Sequence, residues 1–141
     1  MPNSRRYPDR PILGVGAIIE DGGRVLLVER GHEPLKGVWS LPGGVVEVGE
    51  RLKDAIRREV REETGLEVDA VSIAEVFERI MPDVDGRTEY HYVLIDYFCK
   101  VTGGELRAAS DASHAVWVPR EELATYRITE GTLAVIERAL A

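Results

Sequence analysis

The stretch GVVEVGERLKDAIRREVREETGL, residues 44–66, contains the pattern that decides how this chain folds. Its apolar residues at positions 52, 55, 56 and 60 recur at the spacing of one helix face. That spacing predicts an amphipathic helix over residues 51–64. Gly65 follows at the position where a left-handed C-cap would end the helix. We therefore expect this helix to lie at the centre of the fold.

Extended segments are predicted on both sides of this helix. The runs 13–20 and 24–29 are apolar, and the Asp21-Gly22-Gly23 sequence between them is typical of a hairpin turn. The stretch 31–49 is rich in proline and glycine and is predicted to form a loop. Further strands are expected at 68–79, 92–101 and 115–118, and a second helix at 129–141. This order favours an α/β sandwich.

Length and composition indicate one soluble domain. The 141 residues, 44% hydrophobic and 30% charged, are typical of a single soluble domain. No apolar run approaches the roughly 20 residues that a membrane span needs. A net charge of -7 argues against a nucleic-acid polymer as partner, because such binding depends on Lys and Arg.

The ends of the chain suggest a cytoplasmic protein with one mobile segment. Residues 1–10 are polar and include no apolar signal-peptide segment, so we expect them to be mobile and residues 11–141 to form the domain. Cytoplasmic residence follows as an expectation. Cys99 stands in an apolar run and is interpreted as a buried, inert thiol.

Three glutamates cluster at the end of the predicted helix. Glu59 and Glu63 continue its apolar stripe, and Glu62 lies beside them. One interpretation is a solvated acidic face, which is common on helices. The other is a site for a hard divalent cation, because three adjacent carboxylates repel one another unless a cation offsets their charge. Their position on the apolar stripe favours the cation site.

Two neighbouring features support that interpretation. Arg58 is spaced to pair with Glu62 one helical turn away. The preceding Leu41-Pro42-Gly43-Gly44 sequence allows close backbone approach, so a carbonyl there could become a further metal ligand.

The complete spacing resembles the Nudix hydrolase family. Gly44 is followed by Glu50 after five residues, and seven residues later by the run from Arg58 to Leu66. Every fixed position of the 23-residue Nudix signature is matched between Gly44 and Leu66. The resemblance implies an α/β/α sandwich with a mixed sheet, and hydrolysis of nucleoside diphosphates linked to another group.

The resemblance also implies roles for these residues. Glu59, Glu62 and Glu63 would bind Mg²⁺ together with the carbonyl of Gly43, and Mn²⁺ could substitute. Arg58 would orient Glu62, while the role of Glu50 stays open. The general base would be a glutamate of the signature or an acid on a later loop, where the sequence contains Asp111. The alternative for Asp111 is a turn-forming aspartate.

Outside the signature, residues 89–97 and 117–119 resemble small ADP-ribose pyrophosphatases. The implied reaction converts ADP-ribose to AMP and ribose 5-phosphate, a step of nucleotide metabolism. Pro82, sixteen residues beyond Leu66, is similar to a downstream proline of those enzymes, although a proline beside Asp83 also suits an ordinary loop.

Six further residues are candidates for substrate binding. The cations would meet phosphates or the terminal ribose, and the aromatic side chains would stack on adenine. Surface cations and core aromatics are the alternative interpretation. The candidates are Arg30, Lys36, Arg79, Trp39, Phe77 and Tyr90.

Two rival functions remain open from the sequence. A house-cleaning nucleoside triphosphate pyrophosphohydrolase, acting on normal or oxidised nucleotides, would use the same metal-binding helix. A Nudix-fold sensor would bind its ligand without cleaving it. Since relatives are frequently homodimers, a homodimer is also expected.

Overall fold

A seven-stranded mixed sheet forms the centre of the fold in the computed structural model, which describes residues 5–31, 33, 35–107 and 112–141. The strand order is β3-β2-β1-β6-β5, with β4 paired to β1 and β7 paired to β2. β1 runs parallel to β6, and the other pairs are antiparallel. The strands are β1 Ile12–Asp21, β2 Arg24–Arg30, β3 Trp39–Ser40, β4 Gly43–Val45, β5 Leu66–Pro82, β6 Thr88–Gly104 and β7 Ala112–Pro119.

Helices cover both faces of this sheet. The helix α1, Leu52–Thr64, buries Ala55, Ile56 and Val60 in one apolar cluster, and α2, Thr132–Ala139, buries Val135 and Ile136 in another. Successive residues of β1 supply the two clusters in turn, since a strand presents alternate side chains to opposite faces. The α/β sandwich and the mixed sheet predicted from the sequence are therefore confirmed.

Two turn predictions based on glycine are confirmed. Gly22 and Gly23 have φ values of 60° and 81° and form the two-residue loop between the paired residues Asp21 and Arg24. Gly65 has φ 79° and donates its N–H to the Arg61 carbonyl, which closes the last turn of α1.

The segment predicted as a loop before α1 contains two short strands. Gly43–Val45 pair with Gly14, Val15 and Gly16 of β1, and Trp39–Ser40 pair with β2. The proline and glycine content of this segment is typical of a loop, so its sequence does not indicate strands. The strands form because the segment pairs with β1 and β2, which lie earlier in the chain. Near the C-terminus, a 3-10 helix spans Arg120–Thr125.

The second helix is shorter than predicted. It begins at Thr132 because Gly131, with φ 86°, breaks the helical path, and it ends at Ala139. Cys99 is 8% exposed, so its expected burial is confirmed, and burial raises the pKa of its thiol to about 12. None of the described helices has the length and apolarity that a membrane crossing requires.

Candidate active site

Arg58 holds the acidic end of α1 together. Its Nε and Nη2 atoms donate to the two carboxylate oxygens of Glu50 at 2.7 and 2.9 Å, a bidentate pair. Its Nη1 donates to Glu59 at 2.8 Å, and its Nη2 also donates to the Val45 carbonyl at 3.1 Å. The predicted contact with Glu62 is present but longer, at 3.5 Å. Arg58 therefore joins the loop before α1 to the helix.

Glu50, whose role the sequence left open, is the main partner of Arg58. Its side chain is only 15% exposed, and it also accepts the Glu47 N–H at 3.1 Å. The Arg58 guanidinium, followed by the Glu47 N–H, lowers the pKa of Glu50 to about 2. In return, Glu50 is the largest cause of the raised pKa of Arg58. Both groups stay ionised throughout the physiological pH range.

Glu59 and Glu63 approach the backbone of β4. The Gly43 N–H donates to Glu63 Oε1 at 2.8 Å, so it points away from β1. In an extended strand the N–H and C=O of one residue point to the same side, which directs the Gly43 carbonyl to the Glu63 side as well. A Cβ atom at Gly44 would collide with the carboxylate of Glu59. The paired glycines therefore allow both carboxylates to lie against the strand.

Glu62 lies apart from the other two carboxylates. Its side chain is 48% exposed, whereas that of Glu59 is 12% exposed and Glu63 as a whole is 7% exposed. Within the described part of the chain, no three acidic, imidazole or thiol groups already converge as ligands of one cation. The donor set nevertheless fits a hard divalent ion, because Glu59 and Glu63 both line a cleft beside the Gly43 backbone.

The cleft lies over the middle of the sheet. Its floor includes Gly14 and Gly16 of β1, where a Cβ atom would meet Leu94 and Asp96 of the neighbouring strand. Glycine at these strand positions leaves room for the Leu94 and Asp96 side chains to lie over β1. Glu59 and Glu63 stand at one end of this space.

Three arginines line the same cleft, namely Arg5, Arg30 and Arg79. Arg79 is partly buried, and its Nη2 donates to the Glu130 carbonyl and to Thr132 Oγ1, both at 3.2 Å. Burial, followed by the charge of Arg30, lowers the pKa of Arg79. A cleft of concentrated positive charge in an acidic protein is suited to an anionic ligand.

Arg5 reaches the cleft because the residues after it are held against the β5–β6 hairpin. The Tyr7 N–H donates to the Glu89 carbonyl at 2.7 Å, and the Tyr7 hydroxyl donates to Asp83 at 2.7 Å. Arg6 pairs with Glu89 at 2.7 Å, and the Arg87 guanidinium lies 4.4 Å from the centre of the Tyr7 ring. The mobility expected for residues 1–10 stays a prediction.

The six substrate-binding candidates divide into two groups. Arg30, Phe77 and Arg79 line the cleft. The other three lie outside its described lining: Lys36 is exposed, Trp39 packs edge-on against Tyr126, and Tyr90 is buried and stacked on Tyr92. Asp111, the candidate base, lies outside the described residues.

Sequence reasoning missed two charged residues of the cleft, Arg5 and Asp96. Asp96 is 6% exposed, and burial raises the pKa of its carboxyl to about 6 despite the nearby positive charge of Arg79. An acid inside the apolar run 92–99 was a usable signal, because a buried charge is costly without a function. Arg5 gave no such signal, since its position depends on tertiary contacts of a polar segment.

The chain is similar to known proteins in both sequence and fold. A family model described as NUDIX domain matches residues 10–139. This chain belongs to the Nudix family. Nudix hydrolases generally use divalent metal ions, typically Mg²⁺. Among solved structures, a MutT Nudix hydrolase from Burkholderia pseudomallei superposes with a TM-score of 0.81 at 29% identity, over 92% of this chain and 98% of that one.

Curated Nudix relatives differ in the substrates that their names state. The chain is 42% identical over 105 residues to an ADP-ribose pyrophosphatase of Methanocaldococcus jannaschii, covering 74% of this chain and 60% of that enzyme's length. It is 36% identical over 124 residues to the nucleoside triphosphatase NudI of an Enterobacter species, covering 82% of this chain and 86% of that enzyme. The substrate is therefore not fixed by these relationships.

Proposed function

We propose that this Nudix protein is a Mg²⁺-dependent pyrophosphohydrolase that converts ADP-ribose to AMP and ribose 5-phosphate. The observation that carries the proposal is one cleft with two carboxylates and a glycine backbone at one end and three arginines in its lining. A substrate with a central diphosphate matches this arrangement, because its phosphates require cations while its reacting phosphorus requires a metal-bound nucleophile. The similarity to an ADP-ribose pyrophosphatase supports the choice of substrate.

Glu59, Glu63 and the carbonyl of Gly43 would hold the metal, with Glu62 joining from the exposed side of the helix. When bound, Mg²⁺ would withdraw charge from the phosphates and lower the pKa of a water molecule. Arg58 keeps Glu59 in place through its 2.8 Å contact, so it acts as a positioning residue. The Mn²⁺ ion would substitute with the same oxygen ligands.

The proton of the attacking water needs an acceptor close to the metal. Two candidates remain in this proposal, a glutamate of the signature and Asp111. A direct comparison of Glu59→Gln, Glu63→Gln and Asp111→Asn in metal binding and in turnover would separate them. A base variant should lose turnover while keeping its affinity for Mn²⁺, whereas a ligand variant should lose both.

The first experiment is product analysis with pure protein and Mg²⁺. The substrates are ADP-ribose, other nucleoside diphosphate sugars, dinucleotides and a panel of nucleoside triphosphates. AMP and ribose 5-phosphate formed faster from ADP-ribose than any product from the others would support the proposal. Preferred release of pyrophosphate from a triphosphate would contradict the substrate while keeping the metal site.

Glu63→Gln provides a sharper test of the metal site. The amide oxygen can still accept the Gly43 N–H, so the fold should be retained, but the charge for the cation is lost. We expect turnover to fall by at least the roughly 10- to 100-fold seen when supporting residues of metal sites are changed. The matched control is Glu67→Gln, an exposed glutamate paired with Arg61. Full activity in Glu63→Gln would contradict the role of Glu63 as a metal ligand.

A nucleoside triphosphate pyrophosphohydrolase is the second candidate function. The 36% identity to NudI over 86% of that enzyme favours it. A non-catalytic sensor is the third, and tight ADP-ribose binding without turnover in Mg²⁺ or Mn²⁺ would support it. The complete Nudix signature between Gly44 and Leu66 argues for catalysis.

We also propose a homodimer, in keeping with the sequence prediction. β5 is an edge strand of the sheet, and Val76 and Ile80 on it are 58% and 55% exposed. Exposed apolar residues on a long edge strand are suited to association with a second copy. Cytoplasmic residence also stays a prediction, which fractionation of the source cells would test.

A further inference from the structure

Asp96 is a buried acid that the metal site does not use. It is 6% exposed, and no described residue donates a hydrogen bond to its carboxyl. Burial of a carboxyl without a hydrogen bond costs free energy, so a buried unpaired acid in a ligand cleft requires an explanation. The negative charge of Glu75 also raises the pKa of Asp96, and Glu75 itself forms an ion pair with Arg138.

The Asp96 carboxyl points across β1 towards the metal end of the cleft. Asp96 on β6 and Gly43 on β4 flank the same residue, Gly16, from its two sides. A Cβ atom at Gly16 would collide with Asp96 Oδ1, so the carboxyl occupies the place where a Gly16 side chain would be. Because neighbouring strands lie about 4.8 Å apart, the carboxyl is roughly one strand spacing from Gly43.

Arg79, which lines the same cleft, has an unsatisfied donor. Its Nε is buried and finds no hydrogen-bond partner among the described residues. The charges of Asp96 and Arg79 affect each other's pKa, but the two side chains do not form an ion pair within 4.0 Å. Asp96 and Arg79 therefore both line the cleft without pairing with each other.

The chemistry of this pair selects a group that both donates and accepts. A phosphate oxygen only accepts and is repelled by a carboxylate, and an ammonium group only donates. A hydroxyl group can donate to Asp96 and accept from Arg79 at once. Carboxylates bind ribose hydroxyls in this way in dinucleotide-binding folds.

We infer that Asp96 and Arg79 bind a hydroxyl group of the ribose attached to the substrate diphosphate. The separation between Asp96 and Gly43 matches the bond path from a phosphate at the metal end to the hydroxyls of its own sugar. A nucleobase, which lies further from the phosphates, fits that separation less well. This inference rests on the proposed function, because it takes Gly43, Glu59 and Glu63 as the phosphate end of the cleft.

Equilibrium binding without turnover tests the inference. The ligands are AMP with its 2′-deoxy and 3′-deoxy forms, ribose 5-phosphate with its 2-deoxy form, and pyrophosphate as a ligand that has no sugar. Wild-type protein in Mg²⁺ should bind the hydroxylated member of at least one series about tenfold or more tightly, since a hydrogen bond to a charged group is lost in the deoxy form. The series that responds tells whether the nucleoside or the sugar phosphate occupies the site.

The variants assign that preference to Asp96. Asp96→Ala should abolish the preference for the hydroxylated ligand and leave pyrophosphate binding as tight or tighter. Asp96→Asn, which keeps an acceptor oxygen of the same shape, should retain part of the preference. Asp69→Asn, an exposed acid on β5, is the control and should behave as wild type.

Two outcomes would overturn the inference: no preference between hydroxylated and deoxy ligands in wild type, or a preference that survives Asp96→Ala. Turnover of ADP-ribose, measured in parallel, reports on the proposed function by itself. A protein that binds ribose ligands through Asp96 without cleaving ADP-ribose would retain this inference and contradict only the proposed reaction.

Discussion

At the scale of single residues, Arg58 connects the loop part of the signature to its helix. It pairs with Glu50 and Val45 before the helix and with Glu59 and Glu62 on the helix. A lysine could not replace it, because the bidentate contact to Glu50 requires a planar guanidinium. The separation between Gly44, Glu50 and Arg58 in the signature is therefore also a structural requirement of the loop.

Removing the charge of Glu50 should change how stability depends on pH. The folded-state pKa of Glu50 is about 2 against an ordinary value of 4.5, so its ionised form stabilises the folded state. That stabilisation is complete above pH 4.5 and is lost as the pH falls towards 2. Glu50→Gln should be less stable than wild type at pH 7 and should lose less on acidification.

Urea unfolding of both proteins between pH 7 and pH 3 measures this difference. The control is Glu47→Gln, since Glu47 is 70% exposed and lies 3.8 Å from Arg58. Parallel pH profiles for wild type and Glu50→Gln would contradict the assignment.

Ionisation of Asp96 should affect the stability of the folded state in the opposite direction from ionisation of Glu50. Burial raises its pKa to about 6 from an ordinary 3.8, so the ionised carboxylate destabilises the folded state, and this cost appears between pH 3.8 and 6 and is complete above 6. Asp96→Asn should raise the free energy of unfolding by up to about 3 kcal/mol at pH 7, from about two pKa units, and change it little near pH 4. Thermal melts of metal-free protein at both pH values measure this, and equal melting temperatures at pH 7 would contradict it.

At the scale of elements, the segment before β1 acts as part of the cleft wall. Tyr7 anchors it through Asp83 and Glu89, and this anchoring places Arg5 beside Arg30 and Arg79. The segment and the β5–β6 hairpin therefore form one side of the site, opposite α1.

Removing one of the Tyr7 contacts should weaken substrate binding without slowing the chemical step. Tyr7→Phe removes the 2.7 Å hydrogen bond to Asp83 while keeping the ring. We expect KM for an anionic substrate to rise about two- to tenfold, the worth of one hydrogen bond, with kcat unchanged. Arg10→Ala, which changes an arginine whose side chain is 84% exposed, is the matched control. An unchanged KM in Tyr7→Phe would show that the anchor does not contribute to binding.

At the scale of the whole molecule, the exposed edge strand predicts how copies associate. Val76→Lys together with Ile80→Lys places two charges on the apolar surface of β5, where they oppose pairing with another copy. The variant should be monomeric at concentrations where wild type is dimeric, as measured by size exclusion with light scattering. Val84→Lys, at the exposed hairpin turn, should leave the association unchanged. A monomeric wild type would contradict the proposed dimer.

The sequence predicted the parts of this molecule that local patterns determine. The spacing of residues 44–66 predicted α1, its C-cap and the position of the acidic cluster, because helix periodicity and capping are local properties. It could not predict that Glu50 is the main partner of Arg58, or that Gly43 donates to Glu63, because these contacts depend on how the loop folds back. Arg5 was missed for the same reason, since the anchored N-terminal segment brings it to the cleft, whereas Asp96 carried a usable signal as an acid inside an apolar run.

The parallel pairing of β1 with β6 has a consequence for folding. Ile12–Ile19 pair with Tyr92–Cys99, so this ladder closes a loop containing about half of the chain, including β2, α1 and β5. Closing so long a loop costs entropy before its contacts repay it, which makes such pairing a late event in folding. Gly16 and Asp96 meet only when this ladder forms, whereas Glu59 and Glu63 already share one helix. During refolding, the circular dichroism signal of the helices should therefore return before the cleft is complete. Recovery of ribose-dependent binding would then report the formation of the β1–β6 ladder.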